Sequence, residues 1–164
     1  MIIGINPGHT KFERGTGAVG HLTESIETRK IAAELMALLA DSKHEVYYLG
    51  IDRHQNNLKY VVDRANNLKV DMFISIHLNA GKGRGVEVYT WKGRKYQLAE
   101  NVVKNVSKLG YVNRGIKDGS GYYVIRNTKM EAMIIECCFV DSDDYKIYDY
   151  RKIAKAIYDA IGKG

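Results

Sequence analysis

The chain has one proline and two cysteines in 164 residues, and each scarcity narrows what it can be. So little proline leaves no stiff linker and argues against a disordered tail. The cysteines, Cys137 and Cys138, are sequence neighbours. Adjacent side chains on a strand point to opposite faces, which disfavours a disulfide between them, and no CxxC pair offers a zinc ribbon. Both are expected to be buried thiols. No run approaches the ~20 apolar residues of a membrane span. The N-terminal MIIGINPGHTKFERG lacks a basic leader followed by an apolar core, so neither a signal peptide nor a membrane partner is expected. A dense basic run is also missing. The net charge of +6 is spread along the chain among 19 acids. It permits an anionic partner without choosing one, and no nucleic-acid partner is expected.

What is present is an alternation of strand-like and helix-like segments. Ile2 to Ile5 reads as a buried strand ending in the turn Asn6-Pro7-Gly8, followed by a glycine-rich loop from Gly8 to Gly20. Ile31, Leu35, Leu38 and Leu39 recur at helical spacing from Glu24 onward, with Thr23 as the expected N-cap. Glu45 to Gly50 reads as a strand, and Leu58, Val61, Val62, Ala65 and Leu68 mark a helix. Met72 to Ile76 is continuously apolar, as strands covered on both faces are. Val86 to Thr90 alternates like a half-exposed strand, and a helix from Leu98 to Leu109 stops at Gly110. After a polar, turn-rich stretch, strands are expected at Tyr122 to Ile125 and from Met133 through Glu136 to Phe139, then a helix through Ile153 and Ile161. The pattern predicts a single α/β domain over residues 1–164, a twisted, mostly parallel sheet flanked by helices on both faces.

Sites in such sheets form beyond the carboxyl ends of the strands. His9 follows the first strand, His77 caps MFISI, Glu136 closes MIIE, and Glu24 opens the first helix on the same side. Two histidines and two carboxylates at one edge suit a catalytic zinc site, with three N/O ligands and a carboxylate to move protons. Bland alternatives stay open. A lone histidine at a strand end is more often a satisfied structural group, and Glu24 in a first turn also complements the helix dipole. Glu136 is harder to dismiss, because a carboxylate beside an apolar strand needs a partner, a proton or a metal. His44 and His54 read as surface residues, and His21 lies near Glu24 in a loop. The GxGxxG match at Gly15 to Gly20 stands too far past the strand for a dinucleotide fingerprint.

The segments NPGHT, GTGAVGHLTE, VDRANNLKVDMFISIHLNA and RGIKDGSGYYVIRNTKMEAMIIECCFVDSDD resemble, in order, the zinc-dependent N-acetylmuramoyl-L-alanine amidases of bacterial autolysins and phage endolysins. In detail they look closest to clostridial phage endolysins. The resemblance implies zinc held by His9, Glu24 and His77, with Glu136 as the catalytic glutamate. The implied substrate is peptidoglycan, cut between N-acetylmuramic acid and L-alanine after release through a holin or cell lysis. Asn79 is expected either to line the groove as a hydrogen-bonding group or to serve as a turn residue. Glu131-Ala132 and Cys137-Cys138 depart from the family pattern without removing a functional group. A wall endopeptidase or carboxypeptidase, and a non-catalytic wall-binding domain, remain the alternatives.

Overall fold

The computed structural model describes residues 1–12, 15–53, 57–162 and 164. Six strands form one sheet in the order β2-β1-β3-β6-β4-β5. They are β1 (Ile2–Pro7), β2 (Glu45–Tyr48), β3 (Met72–Asn79), β4 (Val86–Thr90), β5 (Asn113–Asp118) and β6 (Glu131–Phe139). The pair β4–β6 is antiparallel, and the other neighbours run parallel. Five α-helices cover the sheet: α1 (Glu24–Leu39), α2 (Asn57–Asn67), α3 (Gln97–Ser107), α4 (Tyr123–Asn127) and α5 (Tyr150–Ile161). Among the described residues no helix is long and apolar enough to cross a membrane.

Each central strand feeds two cores, because alternate side chains leave opposite faces. Ile3, Ile5, Ile74, Ile76, Met133 and Ile135 pack with α1, α3 and α5. Phe73, Ala132 and Ile134 pack with Val61, Val62 and Ala65 of α2 and Val124 and Ile125 of α4. Phe73 is wholly buried, which stabilises by roughly 1.5–3 kcal/mol relative to exposure. The expected α/β domain with helices on both faces is what the chain forms.

Several local expectations differ from the structure. Tyr122 to Ile125 was expected as a strand, but Tyr123–Asn127 is the short helix α4. Its aromatic and β-branched residues favour strands, yet packing on α2 and β6 sets the conformation. The helix end is tied by the Asn127 amide donating to the Tyr123 carbonyl and the Thr128 hydroxyl to that of Val124. The polar stretch before it contains β5, parallel to β4 at the sheet edge. Thr23 occupies the N-cap position of α1 without a side-chain capping bond. Cys137 and Cys138 are free and buried as expected, but against the same core, not opposite faces. His77 pairs with Glu136 while Asn79 pairs with Phe139, so β6 carries one extra residue, a bulge at the cysteines.

Candidate metal centre and catalytic groove

On the face toward α2, the central strands change character as they reach one end of the sheet. Along β3 the series is Phe73, Ser75, His77; along β6 it is Ile134, Glu136; along the antiparallel β4 it is Tyr89, Glu87. His77 and Glu136 stand side by side in register, as do Glu136 and Glu87. The apolar half lies under α2 and α4. The polar half opens as a groove of about 640 Å³, whose walls include Leu58, Val61, Tyr122 and Tyr123.

Four sequence-selected residues meet on this groove: His9, Glu24, His77 and Glu136. His9 has a left-handed backbone, φ 64°, rare for a non-glycine residue. Its Nδ1–H donates to the Gly15 carbonyl at 3.1 Å, leaving Nε2 3.0 Å from Glu24 Oε1. His77 Nδ1 lies 3.1 Å from the same oxygen. Its Nε2 reaches Ser75 Oγ at 3.1 Å, and that hydroxyl accepts from the Asn6 amide at 2.9 Å. Each imidazole is thus oriented through its other nitrogen, as metal-binding histidines are.

Two glycines make room for this convergence. A Cβ on Gly8 would sit 2.2 Å from the His77 ring. A Cβ on Gly17 would sit 2.5 Å from Glu24 Oε2 and 2.7 Å from His9 Cδ2. Gly17, the middle glycine of the GxGxxG match, therefore serves close packing around the carboxylate.

Glu24 is 3% exposed, yet it is held ionised. Burial pushes its carboxyl up, but hydrogen bonds from His77 and His9 win and hold it well below the usual range. The backbone N–H groups of Ala18 and Leu78 donate to it at 2.8 and 3.1 Å. Helix-dipole complementation alone does not require this enclosure. One donor atom from each of His9, Glu24 and His77 lies within 4.8 Å of the others. Two imidazole nitrogens and an anionic oxygen form a donor set that fits zinc.

Glu136 supplies a different kind of carboxylate. Its Oε2 is buried without a hydrogen-bond partner. Burial, then the charges of Glu24 and Glu87, push its pKa up to about 8. The pKa values of two buried carboxylates at one end of the sheet are thus pushed apart, Glu24 down and Glu136 up, the pattern of divided acid–base roles.

Sequence reading missed two supporting residues. Glu87 is 3% exposed and accepts from the Asn79 amide, the Tyr89 hydroxyl and Arg114 Nε at 2.8, 2.9 and 2.8 Å. The alternation of VEVYT suggested a half-exposed strand; instead Val86, Glu87 and Val88 are all buried. Arg114 on the unforeseen β5 compensates its charge. Arg29 of α1 binds the carbonyls of His9 and Ile51 through Nη2, both at 3.0 Å, and Asp52 through Nε at 2.8 Å. It fixes the turn carrying His9; a lone arginine in a helix gives no such signal in sequence.

Asn79 lines the groove and also shapes its turn, with its amide donating to Glu87 and its oxygen accepting from Ala80 N–H at 2.9 Å. His21 is exposed and stacks on Tyr145 with ring centroids 4.1 Å apart, apart from the metal-donor trio. His44 is half-buried, not a plain surface residue, bonded between the N-terminus and the Gly162 carbonyl. His54 lies outside the described residues.

Known proteins resemble the chain in both sequence and fold. Residues 3–163 match the N-acetylmuramoyl-L-alanine amidase family. The catalytic domain of CwlV, an N-acetylmuramoyl-L-alanine amidase from Bacillus (Paenibacillus) polymyxa var. colistinus, superposes with a TM-score of 0.86 at 28% identity, covering 98% of this chain and 95% of that one. The catalytic domain of the CD27L endolysin targeting Clostridia difficile gives a TM-score of 0.88 at 26% identity, covering 98% and 96%. An uncharacterised 38.4 kDa protein of Clostridium perfringens is 33% identical over 181 residues, 99% of this chain and 52% of that protein. The chain thus spans about half the length of that relative. With a family match over nearly its whole length, the chain belongs to the N-acetylmuramoyl-L-alanine amidase family.

Proposed function

We propose that this chain is a zinc-dependent hydrolase cutting the amide between N-acetylmuramic acid and L-alanine in bacterial peptidoglycan, as an endolysin or autolysin catalytic domain acting on the wall after release. The observation carrying it is the juxtaposition of the His9–Glu24–His77 donor set with the unpartnered Glu136 carboxyl in one groove.

His9 Nε2, His77 Nδ1 and Glu24 would hold the ion. Zinc when bound supplies Lewis acidity, polarising a carbonyl and acidifying water. Glu136 takes the proton of the attacking water on its free oxygen and returns it to the leaving amine nitrogen. Its buried setting favours this exchange, because a carboxylate there accepts a proton readily. Ser75 and the Gly15 carbonyl keep the imidazoles oriented through the cycle. Tyr122, Tyr123 and Leu58 give the groove an apolar wall against which a peptide stem can lie.

The test is digestion of purified walls by the wild type, by chelated protein and by Glu136→Ala, with new amino termini identified. Free L-alanine amino termini are expected from the wild type alone. Reducing sugar ends would assign a glycosidase, and a different freed amine would assign an endopeptidase. Full activity in the Glu136 variant would remove its assigned role.

A further inference from the structure

A second cleft, of about 350 Å³, lies at the other end of β6. Its floor is made by Ile125, Met130 and Ala132, and its rim by Trp91, Arg94, Arg126 and Lys129. Helix α4 separates the two sites: Tyr123 and Val124 face the groove, while Ile125 and Arg126 face the cleft. Four residues of β6 lie between Glu131 at the cleft and Glu136 at the groove, a distance of roughly 16 Å.

The cleft joins an aromatic plate to a concentration of positive charge. Trp91, the chain's one tryptophan, is 39% exposed. It stands on a turn whose next residue, Lys92, has φ 53°, with the Lys92 ammonium 5.8 Å from the indole. Arg94, Lys95, Arg126 and Lys129 are exposed around it. Glu131 is the one carboxylate lining the cleft among the described residues, and it faces Arg94 at 3.9 Å. Elsewhere, several of the chain's exposed cations pair with acids at close range, as Lys59 does with Asp63, Lys146 with Asp143 and Lys155 with Asp159. Around Trp91 cations outnumber acids. A flat apolar face flanked by guanidinium and ammonium groups suits a polyol or sugar chain bearing phosphodiesters: the ring or carbon chain lies on the indole, and the cations bind phosphate oxygens.

We infer that this cleft binds a phosphate-bearing polymer of the bacterial wall, holding the domain on its substrate while the groove works on a nearby stem peptide. The choice of the wall as the polymer's source rests on the amidase reading; the ligand chemistry rests on the cleft.

The experiment compares binding to Gram-positive wall sacculi, intact and after acid extraction of their phosphate polymers. It is run in the Glu136→Ala background so that the wall stays whole. Intact walls are expected to retain the protein about tenfold more tightly than stripped walls, and the excess should fall with added salt. Trp91→Ala combined with Arg94→Gln and Lys129→Gln should abolish the difference. The same three substitutions in the otherwise wild-type chain should leave hydrolysis of a soluble muropeptide at the parent rate. Arg94→Gln with Lys129→Gln alone keeps the indole in place and should remove most of the excess. Equal retention on both walls, or unchanged retention by the variants, would overturn the inference. Tighter binding to duplex DNA than to intact walls would overturn it in favour of a nucleic-acid site. If the wild type hydrolyses no muropeptide yet keeps phosphate-dependent retention, the cleft stands and the amidase reading falls.

Discussion

Gly17→Ala probes how tightly the metal donors are packed. Gly17 has φ 79°, where an L-residue costs roughly 1–2 kcal/mol. The added methyl would lie 2.5 Å from Glu24 Oε2 and 2.7 Å from His9 Cδ2, against an ordinary contact of at least 3.4 Å. Glu24 or His9 must therefore retreat by about an ångström, although Glu24 is fixed by Ala18 and Leu78 N–H and His9 by Gly15. Displacing one donor relative to the other two should weaken zinc binding by about 10–100-fold, the range seen when ligand orientation is disturbed. The backbone cost alone should lower the Tm of the metal-free protein by about 2–8 °C. The assay is competitive zinc titration against a chromophoric chelator, with thermal unfolding alongside. Gly121→Ala is the control, since nothing lies within 4 Å of its Cβ position. If Gly17→Ala lowers the Tm but binds zinc within twofold of wild type, Gly17 does not make room for the donors.

Three further outcomes follow from the same contacts. Arg114→Met should destabilise the fold by about 1–3 kcal/mol, reduced from the fully buried case because Arg114 is 37% exposed, and Glu87→Gln in the same chain should recover part of the loss in urea titrations. In metal-free protein the Glu136 carboxyl, lifted from 4.5 to about 8, keeps its proton after the unfolded chain has lost it. Its contribution to stability is therefore full below pH 4.5 and declines until pH 8; Glu136→Gln should flatten that part of the stability–pH curve. Cys137 and Cys138 are buried, and burial pushes both thiols up, so the native protein should resist a disulfide-exchange reagent and both should react on unfolding.

Much of the fold is legible in the sequence because β1, β3 and β6 are continuous apolar runs buried on both faces, while α1, α2, α3 and α5 show helical periodicity. The misreadings fall where tertiary packing outweighs local preference. β5, with sequence NRGIKD, has no apolar pattern because it is an exposed edge. α4 consists of strand-favouring residues held as a helix by neighbours distant in sequence. The site was partly visible: His77 and Glu136 lie at ends of apolar strands, where a polar residue stands out. Glu24 became separable from a helix-dipole residue in sequence only by family resemblance; in the structure its enclosure by two histidines and two backbone donors distinguishes it. Glu87 was hidden because strand alternation identifies the face a residue occupies but not what covers that face. The bulge at Cys137 and Cys138 was hidden because strand register is invisible in a single strand's sequence.

The most direct measurement of the central claim is stepwise zinc addition to metal-free protein, with hydrolysis of a soluble muropeptide followed by mass spectrometry. Activity should rise in proportion to zinc until one equivalent is bound and then level off, with the intact stem peptide released bearing an L-alanine amino terminus, and His77→Ala should show no such rise. Full turnover in the thoroughly chelated protein, or a zinc-dependent cut at any other bond, would contradict the account.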